Sequence, residues 1–233
     1  MQILFENDAY IAVNKTEYIS VQANASGREN LQAQVAEFLV SRTKNSKQTP
    51  FIGLVHRIDQ PVTGVVLFAK TENALAGINS AFQSRDVKKI YWAIVDAPLP
   101  DENGKLEHYL SFNSKRNKTI AKVLSADSPK TKHNLKKSLL HYKTVGKSER
   151  YFFLEIELIT GRHHQIRAQL AAAGCHVKGD LKYGAARSNP GGGIHLHARF
   201  LSFCDPQSGQ VIEITAPPPE DILWDIFPSY DKV

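Results

Sequence analysis

Two cysteines in 233 residues, Cys175 and Cys204, cannot build a disulfide framework, and neither a CxxC pair nor a Cys/His pattern with zinc spacing occurs. Reduced thiols, as in cytoplasm, are the expectation. Long apolar runs are also missing. None reaches the roughly 18 residues that a membrane helix needs. The opening Met1-Gln2-Ile3-Leu4-Phe5-Glu6-Asn7-Asp8 has neither the basic start nor the apolar stretch of a secretory signal. A cytoplasmic protein with no membrane partner is expected. A third absence is positive charge over most of the chain. The net charge is +6, yet Asp101 to Arg150 holds 12 Lys/Arg against 5 Asp/Glu, while the remainder holds 17 against 18. A phosphate-contacting surface suits so concentrated a charge, with a solvated basic face as the alternative. Charge alone does not separate RNA from DNA or acidic membrane.

What is present is ordinary for a folded chain: 42% hydrophobic and 22% charged residues. That fits one domain, or two tightly joined subdomains; with no linker visible, a single domain over 1–233 is expected. Ile3-Leu4-Phe5 and Tyr10 to Val13 flank an Asn7-Asp8 turn and predict a hairpin. Leu31, Val35, Phe38 and Leu39 predict a helix near 29–42. Thr71 predicts the cap of a second helix burying Leu75, Ile78 and Phe82. Lys89 to Val95 predicts a strand with Ile90, Trp92 and Ile94 on one face, Tyr91 and Ala93 on the other. Tyr151 to Ile159 predicts another, followed after Gly161 by a helix that ends at Gly174. Late strands at His197–Phe203 and Gln210–Ile214 precede a short helix containing Ile222, Leu223 and Phe227. The class expected is α+β, a mainly antiparallel mixed sheet with flanking helices.

The chemistry concentrates in His56-Arg57-Ile58-Asp59-Gln60-Pro61-Val62-Thr63-Gly64. It sets a carboxylate beside an arginine in a Pro/Gly-bounded loop between two apolar runs, Leu54-Val55 and Val65 to Ala69. A carboxylate held there is oriented and partly desolvated, as a nucleophile or acid/base must be. The same residues also suit a turn-capping Asp paired with Arg57. His195-Leu196-His197 sets two imidazoles on one strand face, but no third ligand is near, so no metal is expected. Gly191-Gly192-Gly193 lacks the spacing and Lys of a phosphate loop.

The stretch resembles the H-R-[LI]-D-x-x-x-[ST]-G signature of RNA pseudouridine synthases of the RluA family. The resemblance continues through Val65 to Thr71, Tyr91, Gly161-Arg162-His163-His164-Gln165-Ile166-Arg167 and Gly179-Asp180-Leu181-Lys182-Tyr183-Gly184. It covers nearly the whole chain, from Ile3 to Phe227. It implies an isomerase that converts uridine in structured ribosomal or transfer RNA to pseudouridine. Many members carry an S4 RNA-binding domain. Since the resemblance starts near residue 3, a stand-alone catalytic domain is expected, a monomer that needs no cofactor.

By that resemblance Asp59 is catalytic, at ribose C1′, at uracil C6 or as a base. Burial disfavours an ionised carboxylate and a nearby arginine favours it; Arg167 matches the family's arginine. Tyr91 matches the tyrosine against the uracil. A uridine in folded RNA must be flipped out, and Arg57 resembles the residue that enters the vacated stack. His56, Thr63, Arg162, His164, Gln165 and Ile166 are expected at the RNA, with Lys15 from the family's V-N-K-P block, here followed by Thr16. Gln60 stands where many relatives have Arg, which puts a charged RNA contact in doubt. Gly179, Asp180, Tyr183 and Gly184 are expected to shape a turn behind the site. The competing readings are a non-catalytic RNA-binding protein on the same fold and a nucleoside hydrolase or glycosidase. The hydrolase would need a second carboxylate in a matching motif, and none is identifiable.

Overall fold

The computed structural model describes residues 1–23, 29–42, 50–123 and 135–226. In chain order these form β1 (Gln2–Glu6), β2 (Tyr10–Lys15), α1 (Leu31–Arg42), β3 (Gly53–Leu54), β4 (Thr63–Ala69), α2 (Glu72–Ser84), β5 (Val87–Val95), β6 (Asn103–Asn113), β7 (Lys118–Lys122) and β8 (Lys136–Lys147). There follow β9 (Phe152–Leu158), α3 (Gln165–Ala172), a 3-10 turn (Leu181–Tyr183), β10 (Leu196–Cys204), β11 (Val211–Thr215) and α4 (Ile222–Ile226). Pairing is mainly antiparallel, with β4 and β10 parallel, so the α+β class holds. Phe227, expected in the last helix, lies outside the described residues. The chain gathers into two compact units, Met1–Lys89 with His197–Pro219, and Ile90–Leu196 with the segment from Glu220 onward.

The first unit is built on β4. All seven of its residues are buried, as a continuous apolar run with both faces covered requires. The expected β1–β2 hairpin forms, β2 and β3 run antiparallel to β4, and β11 lies on β10. One core joins Tyr10, Ala12, Val65, Leu67, Leu201, Phe203, Ile212 and Ile214 to Ala74 and Ile78 of α2. Thr71 caps α2 as its position predicts, its hydroxyl accepting from the Ala74 amide at 3.1 Å.

In the second unit the strand order is β5-β9-β8-β6-β7. Trp92 and Ile94 pack with Phe153 and Trp224, and Ile90 borders them, in keeping with the predicted face. Leu110 of β6, Ala168 of α3 and Tyr183 form a second cluster.

Two features differ from the sequence reading. The described part of the basic window is mostly β-sheet, in β6, β7 and β8, where the sequence predicts no element. In β8, Ser138, Leu140 and Tyr142 are buried while Lys137, His141 and Lys143 are exposed. The period is 2, and Leu139 shares the outer face with the latter three. The helix expected just after Gly161 starts only at Gln165, because His164 adopts a left-handed conformation (φ 51°) and Thr160 to His164 is held as a turn.

Candidate active site

Asp59 stands half-buried in the loop between β3 and β4, with Arg57 exposed and Ile58 buried beside it. Several independent ties fix this loop. Lys15, at the end of β2, is 1% exposed. Its Nζ donates to the carbonyls of Thr16 (2.8 Å), Gln60 (2.9 Å) and Val62 (2.7 Å). Three acceptors match the three N–H donors of an ammonium. Burial pushes this group down to about 7, and Asp59 and Glu17 oppose the shift. The Asp59 carbonyl accepts from the Val62 amide at 3.0 Å. Gln60 takes a backbone bond from Tyr18 at 3.2 Å and returns one from its side-chain amide at 2.9 Å. The residue read as a lost RNA contact is thus a clamp on the loop.

His56 closes the loop's entry. Its Nε2 accepts from the Leu67 amide at 3.1 Å, so Nδ1 carries the proton, and its ring stacks on Phe82 at 5.4 Å. Burial, then the charge of Lys89, holds its pKa down at about 4. Thr63 closes the exit. His197 Nε2–H donates to the Ala216 carbonyl (3.1 Å), which leaves Nδ1 to accept from the Thr63 hydroxyl (2.8 Å). Gly64 follows at φ 112°, where a Cβ would lie 2.2 Å from the Ala198 carbonyl oxygen. Only glycine permits that approach of β4 to β10.

The second unit carries the other residues. Tyr91 is nearly buried on β5, opposite Ile156 of β9. Arg167, 5% exposed, forks onto Asp180, 1% exposed, through Nε (2.6 Å) and Nη2 (2.8 Å). This is the bidentate geometry of a strong charge-assisted pair. Tyr183 is the hub of the network. The Arg167 guanidinium lies 4.9 Å from its ring centroid and Lys118 Nζ 5.0 Å. Its hydroxyl accepts from the Thr119 amide (2.8 Å) and so donates to His164 Nδ1 (2.8 Å). Burial first, then the Arg167 charge, depresses His164 to about 3. His163 stacks on His164 at 3.7 Å. Thr119 donates to the His163 carbonyl (2.8 Å), so His163 Nδ1 donates to Thr119 Oγ1 (3.0 Å). Gln165 ties its own turn, accepting from Thr160 (2.8 Å) and the Arg162 amide (3.0 Å) and donating to Leu139 (3.1 Å).

Of the residues expected at RNA, Arg57 and Arg162 are exposed, whereas Lys15, Thr63, His164, Gln165 and Ile166 are buried and His56 faces inward. Asp180 and Tyr183 are more than a turn; together they hold Arg167. The Gly179–Gly184 block carried that signal and His197 stood out only as one of two imidazoles on a strand, while Thr119 had none beyond its residue type. Among the described residues no group of three or more His, Cys, Asp or Glu could hold a metal. Among them too, no helix is long and apolar enough to cross a membrane.

The model of a protein family, RNA pseudouridylate synthase, matches residues 9–172. The chain belongs to that family. The match spans Asp59, Tyr91 and Arg167 and stops short of Asp180 and Tyr183. Similar RNA pseudouridylate synthases include the ribosomal large subunit pseudouridine synthase D of Neisseria meningitidis serogroup A, 30% identical over 95% of this chain. That of Vibrio cholerae is 29% identical over 96%. The chain spans 59% and 69% of those two proteins. Among solved structures, human RNA pseudouridylate synthase domain containing 4 shares the fold at a TM-score of 0.74, with 21% identity over 94% of this chain and 88% of that one.

Proposed function

We propose that this chain is an RNA pseudouridine synthase working as a single catalytic domain on structured RNA, with Asp59 as its catalytic residue. The observation that carries this reading is the Asp59 loop. A half-buried carboxylate stands on a loop held by four separate ties, beside an exposed arginine, in a chain of this family. Side chains so constrained meet the geometric demand of covalent or acid/base chemistry.

The reaction breaks the bond from uracil N1 to ribose C1′ and joins C1′ to C5. C5 loses its proton and N1 ends protonated, so atoms and electrons balance without redox or cofactor. In our reading Asp59 acts at C1′, at C6 or as a base on the ribose, Arg167 keeps it ionised, and Tyr91 packs against the base. Arg57 enters the stack left by the flipped uridine, and Arg162 meets phosphate. Lys15, His56 and Thr63 position the loop; His164, Gln165 and Ile166 position Arg167. The names of the relatives favour large-subunit ribosomal RNA over transfer RNA. We take the protein to act in the cytoplasm as a monomer.

The test is pseudouridine mapping on total RNA from cells lacking the protein, complemented by wild type or by Asp59→Ala. The expected result is one or more uridines modified only with wild type. Modification restored by both would remove Asp59 from the chemistry. No dependent site at all would favour a non-catalytic RNA-binding protein, and free uracil released in vitro would favour a hydrolase.

A further inference from the structure

The first unit holds two neighbouring cations, Lys89 and Arg85, that the reading above does not use. Lys89 is only half-exposed, and its ammonium sits 5.5 Å from the centroid of Phe82, the same ring on which His56 stacks. Arg85 stands at the end of α2. Among the described residues, neither Lys89 nor Arg85 forms a side-chain ion pair or hydrogen bond. The neighbouring carboxylate, Asp86, is bonded to Ser84.

This arrangement is costly as structure alone. Burial pushes Lys89 below its ordinary range and Arg85 pushes it further, while Lys89 in turn depresses His56. Partly buried charges are ordinarily paired. Arg85 occupies the left-handed position (φ 69°) that closes α2, where glycine is the usual residue. A cation at a helix C-terminus complements its dipole and accounts for Arg85. It does not account for Lys89, five residues past the helix and without a carboxylate. Like charges held together without an acid form a site for an anion that arrives with a ligand.

We propose that Lys89 and Arg85 bind backbone phosphates of the RNA substrate flanking the nucleotide presented to Asp59. The proposal rests on the reading of this chain as an RNA-modifying enzyme. It sets a second RNA contact on the first unit, outside the basic window at 101–150. The ligand chemistry is a phosphodiester. Free inorganic phosphate carries the same oxygens without the polyanion, and a backbone site should bind it far more weakly.

The experiment measures filter binding of a labelled stem-loop RNA against potassium chloride concentration. The proteins are wild type, Arg85→Gln/Lys89→Met and Lys89→Arg, each also followed by thermal unfolding. Loss of two phosphate contacts should weaken binding about tenfold near 0.1 M salt and flatten the slope of log K against log salt by about 1.4–1.8. Lys89→Arg should retain the wild-type slope. The double variant should unfold at the same temperature as wild type or higher, since methionine keeps the packing on Phe82 and removes a desolvated charge. An unchanged slope and affinity in a folded double variant would overturn the site. So would a destabilised variant whose slope is unchanged, because Lys89 would then be structural. Competition by 10 mM inorganic phosphate as strong as that by unlabelled RNA would identify a small-anion site and overturn the RNA assignment. If wild type itself bound no RNA, the underlying function would fall and this site with it.

Discussion

Arg167 and Asp180 show how one buried pair fixes the geometry of a motif side chain. Two parallel hydrogen bonds set the plane of the guanidinium, and the Tyr183 ring lies against it. Asp180→Asn removes a bidentate carboxylate from a buried cation. We expect a loss of about 3 kcal/mol in urea unfolding, since removing one partner of a buried pair is strongly destabilising, with kcat falling more than RNA affinity. The buried histidines set the response to acid. His56 and His197 are held near 4 and His164 near 3, all below the unfolded value of 6.5. Between pH 6.5 and about 4 the unfolded chain binds more protons than the folded one. Stability is therefore fully present above 6.5 and is lost as pH falls, by up to about 1.4 kcal/mol per pH unit for each histidine. Urea titrations at pH 7.5 and 5.0, with proton uptake on unfolding, check the sign and size.

At the scale of elements, the β4–β10 pairing depends on Gly64. Gly64→Ala meets both a forbidden φ and the Ala198 carbonyl, so we expect a loss of about 2–4 kcal/mol, read as a drop in the thermal midpoint. The sequence made some of these elements plain and hid others for identifiable reasons. The Thr71 cap and the Ile90/Trp92/Ile94 face were legible because each rests on a local rule, a side-chain cap or a period of 2. The strand β8 was not, because Leu139 shares the outer face with Lys137, His141 and Lys143 and masks the alternation of Ser138, Leu140 and Tyr142. The start of α3 was displaced because His164 adopts a left-handed conformation that no residue type announces. Asp59, Tyr91 and Arg167 were visible as motif residues. The inward roles of Lys15, Thr63 and Gln60 were not, since a Lys that caps carbonyls and a Lys that meets RNA are spelled alike.

For the whole molecule, we expect charge placement to govern encounter with RNA. Among the described residues the positive excess of the basic window sits on β8, with Lys136, Lys137, Lys143 and Lys147, and at the turn joining β6 to β7, where Lys115 and Arg116 are exposed. Replacing Lys115, Arg116 and Lys143 by Gln should weaken binding to RNAs of different sequence alike. It should flatten the log K against log salt slope by about 0.7–0.9 for each phosphate contact removed. Fluorescence anisotropy across a salt series measures both. A loss confined to one RNA sequence would mean that these side chains read bases instead.

Trp224 has a consequence in time as well as in space. Its indole meets Phe153 edge-on at 5.7 Å and borders Trp92 in the core of the second unit, yet the ribosome makes it after β10 and β11 of the first unit. A growing chain therefore emerges with Trp92 and Phe153 already synthesised and their aromatic partner still to come. The late closure of this cluster makes the second unit a high-contact-order assembly, slow to complete. Until α4 arrives, that exposed aromatic surface is one a chaperone would hold.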